Sequence, residues 1–296
     1  MMKISNYSGW IFIDKPEGKT SFDIIRQIKK ILKVKKIGHS GTLDPIASGI
    51  LGIGIGEATK SIPFFSKRKE YKFDITFGES KDTDDISGKT TKTSELIPTI
   101  DEISNCLNEF IGNISQVPPK YSAVKVNGRR AYKLARNEIN FELKEKKIEI
   151  YNLRCTGQVS PSTFSFIADC SSGTYIRSLA RDIARKLNTL GYISYLRRTK
   201  LGKITEKDII LVDKFSELVH IGDHFELMHS IQDVLDDIQA VRLDKEFSQK
   251  FQNGLTFDYL DKKVFLKPIV IFSEKNFLGI AEINKGNLKP VRVFNI

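Results

Sequence analysis

The chain has 296 residues, with 47 Lys and Arg against 36 Asp and Glu and a formal net charge of +11. That length suits a large domain accompanied by a small one, and the positive excess favours a polyanionic partner such as nucleic acid. No apolar run approaches a membrane span, Met1-Met2-Lys3-Ile4-Ser5-Asn6 lacks the apolar core of a signal peptide, and Cys106, Cys155 and Cys170 are too scattered for a C-x-x-C metal or redox pair, which fits a reducing cytoplasm.

Gly9-Trp10-Ile11-Phe12-Ile13-Asp14 reads as a buried strand ended by the turn Lys15-Pro16-Glu17-Gly18. Thr20 and Asp23 then form a capping-box pattern, and Ile24, Ile25, Ile28, Ile31 and Leu32 recur at helical spacing, which predicts a helix over 21–34. Its other face carries Lys29, Lys30 and Lys33, with Lys35 and Lys36 just beyond. These lysines form either a solvated face or a track for phosphates.

The stretch Gly38-His39-Ser40-Gly41-Thr42-Leu43-Asp44-Pro45-Ile46-Ala47-Ser48-Gly49 is a glycine-punctuated loop with one carboxylate. Pro45 disfavours the α region for Asp44 and holds it on a bend, so Asp44 is a candidate for chemistry. An Asp-Pro pair is equally a helix start, with Asp as the cap. The next segment, Gly54-Ile55-Gly56-Glu57-Ala58-Thr59-Lys60-Ser61, fails as a phosphate loop because Thr59 stands where glycine must precede the lysine, and it also fails the G-x-G-x-x-G fingerprint. Neither a nucleoside triphosphate nor NAD is expected.

Tyr71, Phe73, Ile75 and Phe77 alternate with polar residues, the period of a half-buried strand. Tyr71 at its start is either a core aromatic or a hydroxyl that reaches a polar site. The acidic turn Asp82-Thr83-Asp84-Asp85-Ile86-Ser87-Gly88 lacks the glycine and glutamate that a calcium loop needs. Over about 116–147, Lys120, Tyr121, Lys125, Arg129, Arg130, Tyr132 and Arg136 interleave basic and aromatic residues, which suits phosphate contact and base stacking or a surface helix after a proline turn.

A strand through Phe164, Phe166 and Ala168 leads into Gly173-Thr174-Tyr175-Ile176-Arg177 and a helix bearing Leu179, Ala180, Ile183, Ala184 and Leu187, with Gly191 as its terminator. Arg177 in the first turn opposes the helix dipole, which hints at a carboxylate or phosphate partner, although ordinary solvent exposure is the commoner explanation for such an arginine. Tyr195-Leu196-Arg197-Arg198 combines an apolar anchor with clustered charge. His220, His224 and His229 lack the H-E-x-x-H glutamate and read as surface histidines, so no metal is expected. The acidic segment Asp233-Val234-Leu235-Asp236-Asp237 marks the junction to a small β module with runs at Lys263-Val264-Phe265-Leu266, Ile269-Val270-Ile271-Phe272, Leu278-Gly279-Ile280-Ala281 and Val291-Arg292-Val293-Phe294.

Taken together, Asp14-Lys15-Pro16, the Gly38 to Gly49 loop, Gly56 to Lys60, Tyr71, Gln116-Val117-Pro118 with Tyr121-Ser122-Ala123, Gly173 to Arg177 and Tyr195 to Arg198 resemble the TruB family of tRNA pseudouridine synthases, which make pseudouridine at position 55 of the T loop. The likeness implies a mixed α/β (α+β) catalytic domain over 1–237, built on a central, largely antiparallel sheet. The stretch 116–147 is then an RNA-contacting insertion, and 238–296 a PUA-like RNA-binding domain. Ser40 and Ser48 stand where threonine is common, Lys81 replaces a usual threonine, and 202–237 matches poorly.

The resemblance also implies an isomerase that needs no cofactor and no metal, works as a cytoplasmic monomer, and takes the T arm of tRNA as its partner. Asp44 is then the catalytic aspartate, Arg177 its ion-pair partner, and Tyr71 the residue that stacks on the target base and removes the proton from the new carbon bond. His39 would pack among displaced loop nucleotides around a flipped target, and Lys15, Lys60, Tyr175 and Leu196 would position base or backbone. The rival readings are a tRNA-folding chaperone without essential chemistry and a metal-dependent nuclease using Asp44 with Asp82 to Asp85.

Overall fold

The computed structural model describes residues 8–66, 68–259, 268–274 and 276–296. β1 (Gly9–Lys15) is followed by α1 (Ser21–Leu32), whose N-terminus carries the expected capping box: the Thr20 hydroxyl accepts from the Asp23 N–H and the Asp23 carboxylate from the Thr20 N–H. α1 stops at Leu32, short of the expected 34, because Lys33 takes a left-handed conformation at φ 52°. Ile24, Ile25, Ile28 and Leu32 are buried, and the lysines lie outside.

β2 (Ile37–His39) and β3 (Ser48–Ile55) pair with each other and leave the loop bearing Asp44 between them. After a 3-10 segment (Gly56–Phe64) comes β4 (Lys69–Phe77), with Tyr71, Phe73, Ile75 and Phe77 inward. The acidic turn joins the hairpin of β5 (Glu79–Lys81) and β6 (Thr90–Thr93). α2 (Ile100–Leu107) and β7 (Gly112–Gln116) precede a basic excursion holding the small hairpin β8 (Lys125–Val126) and β9 (Arg129–Arg130) and then α3 (Ala131–Arg136).

β10 (Lys146–Ser160) and β11 (Thr163–Cys170) form a long hairpin; α4 (Ile176–Lys186) and β12 (Gly191–Leu201) follow. Gly191 does not terminate α4. Asn188 supplies the left-handed residue at φ 55°, and Gly191 opens β12, where a Cβ would lie 2.9 Å from Ala184. β13 (Ile204–Thr205), β14 (Ile210–Leu211) and α5 (Val212–Ile221) complete this part.

The ten-stranded sheet runs β14-β1-β3-β12-β4-β11-β10-β7, with β13 on β12 and β2 on β3. It is largely antiparallel, as the sequence led us to expect; the β1–β14 and β12–β3 pairs are parallel. The main core lies between this sheet and α1, α2, α4 and α5, around Ile28, Ile53, Phe73, Phe166, Leu179 and Phe215.

The C-terminal sheet comprises β15 (Ala240–Leu243), β16 (Phe257–Asp258), β17 (Ile269–Ser273), β18 (Asn276–Asn284) and β19 (Asn287–Val293), in the order β15-β17-β18-β19-β16, with α6 (Lys245–Gln252) beside it. The expected run at Lys263 to Leu266 lies outside the described residues. The acidic junction is partly buried: Val234 and Leu235, adjacent on a 3-10 turn, join Trp10, Phe12 and Phe65 and the C-terminal Val270, Phe277 and Phe294 in one apolar cluster. One of the three histidines read as surface residues is buried instead. His224 stacks on Phe225 at 4.4 Å and meets Phe215 edge-on at 6.4 Å, because the ring fills an apolar gap beside α5; His220 stays exposed, and His229 packs half-buried against Phe12.

One glycine ties the sheet to the Asp44 loop. Gly49 has φ 97°, and a Cβ there would lie 2.3 Å from the Arg198 carbonyl oxygen, so only glycine lets β3 approach β12 this closely. Gly49→Ala should therefore lower stability by on the order of 2 kcal/mol, read as a lower urea midpoint with an unchanged slope.

Candidate active site

Asp44 projects from its loop towards α4, where Arg177 meets it with two parallel bonds, Nε to Oδ2 at 2.9 Å and Nη2 to Oδ1 at 3.0 Å. The loop is held from behind. The Ser21 hydroxyl donates to the Leu43 carbonyl and accepts from the Leu43 N–H, and the Ala47 N–H closes a turn on the Asp44 carbonyl at 3.0 Å. Asp44 thus sits on a proline bend and does not cap a long helix.

Arg177 is 4% exposed although it lies in the first turn of α4. Besides Asp44, it donates to the carbonyls of Thr83 at 2.9 Å and Tyr121 at 3.1 Å, and it faces the buried Asp85 carboxylate at 3.4 Å. Two carboxylates and two carbonyls meet one guanidinium, which satisfies its rigid fork of donors and offsets the cost of burying the charge. The anionic partner suggested by its position against the helix dipole is Asp44.

A cleft of about 690 Å³ opens beside this pair, lined by Asp44, Tyr71, Tyr175, Arg177 and Leu196 among others. The Asp44 side chain stays 34% exposed on its wall, while Arg177 lies behind it. Tyr71 is 7% exposed on the floor, and Leu196, on β12, stands on the same face. Burial pushes the Tyr71 hydroxyl above its usual range, and the neighbouring Arg198 guanidinium pulls against that shift. Tyr175 is fixed through its backbone by Gln116, whose side chain accepts from its N–H at 2.8 Å and donates to its carbonyl at 3.1 Å.

The remaining candidates stand apart from the cleft wall. Lys15 is fully buried, and its ammonium donates to the carbonyls of Pro16, Lys19 and Pro45, so it anchors the backbone next to Asp44. Lys60 bonds Glu57 and the Val293 carbonyl, at the seam with the C-terminal sheet. His39 lies half-buried on β2 behind the loop, with its basicity lowered by desolvation and by Arg198. Among the described residues no group of three or more His, Cys, Asp and Glu is placed to hold a metal ion.

Several residues here escaped the sequence reading. Asp85 belongs to the acidic turn read there as a rejected calcium loop or as part of a nuclease site, not as a partner of Arg177, and Gln116 stood only within a motif. Lys69 lines the cleft, and burial lowers its ammonium to about 8; the period-2 pattern of β4, which puts residue 69 on the face of 71 and 73, could have found it. The basic excursion supplies Tyr121, Ser122, Ala123, Tyr132 and Arg136 to the opposite wall.

Comparison with known proteins fits this arrangement. Residues 29–176 match the family model described as TruB family pseudouridylate synthase, N-terminal domain. A protein of Bradyrhizobium diazoefficiens named tRNA pseudouridine synthase B is 39% identical, over 97% of this chain and 86% of its own length. The chain belongs to the TruB family. A TruB-family relative from Ehrlichia ruminantium with the same name is 40% identical, over 97% of this chain and 99% of its own. The fold is also that of a chain in the solved structure of a Cbf5-Nop10-Gar1 complex, with a TM-score of 0.72 at 23% identity, covering 97% of this chain and 85% of that one.

The pair that shapes this TruB-family site is unequal in its demands on the fold. Arg177→Met would leave the buried Asp85 carboxylate, whose Oδ1 is held by Thr83 and Ser87, without its facing cation, and the Thr83 and Tyr121 carbonyls without their donor, and should cost about 3–5 kcal/mol. Asp44→Asn keeps an acceptor oxygen at a partly exposed position and should cost less than about 1 kcal/mol. Urea unfolding of the two variants beside the wild type checks the ordering.

Proposed function

We propose that this cleft converts the uridine at position 55 of the tRNA T loop to pseudouridine, with Asp44 as the catalytic carboxylate. Isomerisation of uridine in tRNA is the activity of this family, and the chain is a member of it; the target position and the residue roles are our reading. The observation that carries the roles is the juxtaposition of Asp44, Tyr71 and Arg177, which lie far apart in sequence, around one cleft.

The reaction breaks the N1–C1′ glycosidic bond, turns the base while it is held, forms a C5–C1′ bond, and releases the C5 proton while N1 takes one up. It is redox-neutral. Asp44 acts as an anion, whether it adds to the ribose or takes a sugar proton, and the bidentate bonds from Arg177 hold its two oxygens in one orientation. Tyr71 and Leu196 give the base an apolar bed, and the Tyr71 oxygen serves as the acceptor of the C5 proton. A target within a folded T loop leaves its stack to enter, and a cleft of about 690 Å³ has room for one nucleoside.

The surroundings suit an RNA. Lys120, Lys125, Arg129 and Arg130 are exposed on the excursion that forms one wall of the cleft, and α1 presents Lys29, Lys30 and Lys33 to solvent. We assign the T arm to this basic surface, further RNA contact to the C-terminal sheet as a PUA-like domain over 238–296, and action as a monomer in the cytoplasm. No helix among the described residues is long and apolar enough to cross a membrane.

Two outcomes test this. Asp44→Asn should abolish tritium release from tRNA transcripts labelled at uridine C5 while tRNA affinity stays within a few-fold, because the carboxylate neutralises no phosphate; retained turnover would refute the assignment. Replacing Lys120, Arg129 and Arg130 together by Ala should weaken binding and flatten the slope of log affinity against log salt by about 0.7–0.9 for each phosphate that is no longer neutralised. An unchanged slope removes the excursion from the interface.

A further inference from the structure

Arg198 is among the largest fully buried side chains of the protein, and among the described residues no carboxylate forms an ion pair with it. Its Nε donates to the Ile50 carbonyl at 2.7 Å and its Nη2 to the Gly41 carbonyl at 3.3 Å, while Nη1 is buried without a hydrogen-bond partner. A buried guanidinium balanced only by carbonyl dipoles is costly. If Arg198 served only to clamp β12 to the Asp44 loop, a neutral donor would do the same at lower cost.

Its position suggests what the charge does. Arg198 and Tyr71 are direct partners across the antiparallel β12–β4 pair, so both side chains leave the same face at adjacent positions. A neighbouring glycine makes room for the arrangement: a Cβ on Gly49 would strike the Arg198 backbone. The floor beneath the base-binding cleft therefore carries a cation beside a phenol.

We propose that Arg198 is a positioning residue for the isomerisation, whose unpaired N–H edge stabilises negative charge on the Tyr71 oxygen so that Tyr71 takes the C5 proton of the rotated base. The inference rests on the proposed role of Tyr71. In the step, the Tyr71 oxygenate bonds to the C5 proton, the C5–H electron pair becomes the C5–C6 double bond, and the C6–N1 π pair moves onto N1, which takes up a proton from water. The phenol then gives the proton to water, and nothing is oxidised or reduced. The other ionisable groups in this part of the site do not replace Arg198. Asp44 raises the cost of a phenolate, and the Cys170 thiol on β11 is pushed up by burial to about 11 and stays neutral. Lys69, one turn of the pleat away on β4, is weakened by desolvation and by Arg198 itself, as is His39 on β2.

The experiment compares Arg198→Gln, Arg198→Lys, Tyr71→Phe and the double variant Tyr71→Phe with Arg198→Gln. Two readouts apply: ultraviolet difference titration of Tyr71, taken against the matching Tyr71→Phe protein, and single-turnover tritium release across pH. Arg198→Gln should move the Tyr71 titration up by about one unit or more and lower the rate near neutrality about tenfold, with tRNA affinity unchanged. In the Tyr71→Phe background the same change should have no further effect on rate. Arg198→Lys, which keeps the charge but loses the fork between Ile50 and Gly41, should lower thermal stability yet keep the titration near that of the wild type; if the Gln variant fails to fold, Arg198→Met serves as the neutral variant with the same expected shift. An unmoved Tyr71 titration in Arg198→Gln, or an equal shift in Arg198→Lys, overturns the proposal. Full activity of Tyr71→Phe, by contrast, overturns the role given to Tyr71, whatever the titration shows.

Discussion

The ion pair between Asp44 and Arg177 joins a loop between two strands near the N-terminus to a helix 133 residues later. Its geometry is set by the helix more than by the loop. Arg177 arrives in the first turn of α4, against the dipole, with nearly all of its surface buried, and that position is tolerable only because Asp44, Asp85 and the carbonyls of Thr83 and Tyr121 converge on it. The acidic turn, the basic excursion and the Asp44 loop are thereby fixed to one guanidinium. A carboxylate held by two parallel bonds keeps both charge and orientation while remaining open to a cleft.

A second cation lies under the same cleft on different terms. Arg177 is surrounded by acceptors, two of them anionic, whereas Arg198 has two carbonyls and an unpartnered edge beside Tyr71. The contrast matters in a low-dielectric interior, where an unbalanced charge acts strongly on whatever can ionise next to it. The two arginines divide the site: one governs the carboxylate on the wall, the other the phenol on the floor.

The lysines read from the sequence as pocket residues act at a distance in this structure. Lys15 binds the backbone around the Asp44 bend, including the Pro45 carbonyl, and Lys60 ties the segment after β3 to the Val293 carbonyl of the C-terminal sheet. The apolar cluster around Trp10, Val234 and Phe277 continues that seam. Support of this kind carries no sequence signature beyond a lysine near a turn, because an ammonium bound to carbonyls looks, in sequence, like one exposed to water.

Much of the architecture follows from local rules. Period-2 alternation identifies β4 and β11, the Thr20 and Asp23 box starts α1, and the proline after Asp44 fixes a bend, because each of these depends on residues within a few positions of one another. The order of the family's motifs likewise pointed to Asp44, Tyr71 and Arg177 together. Tertiary structure alone decided that Gly191 begins a strand, that His224 is buried, that Asp85 completes the shell of Arg177, and that Arg198 lies opposite Tyr71. Those outcomes depend on which strands become neighbours and in which register. Sheet pairing brings together residues more than a hundred positions apart, and no local pattern encodes what each will face once water has been excluded.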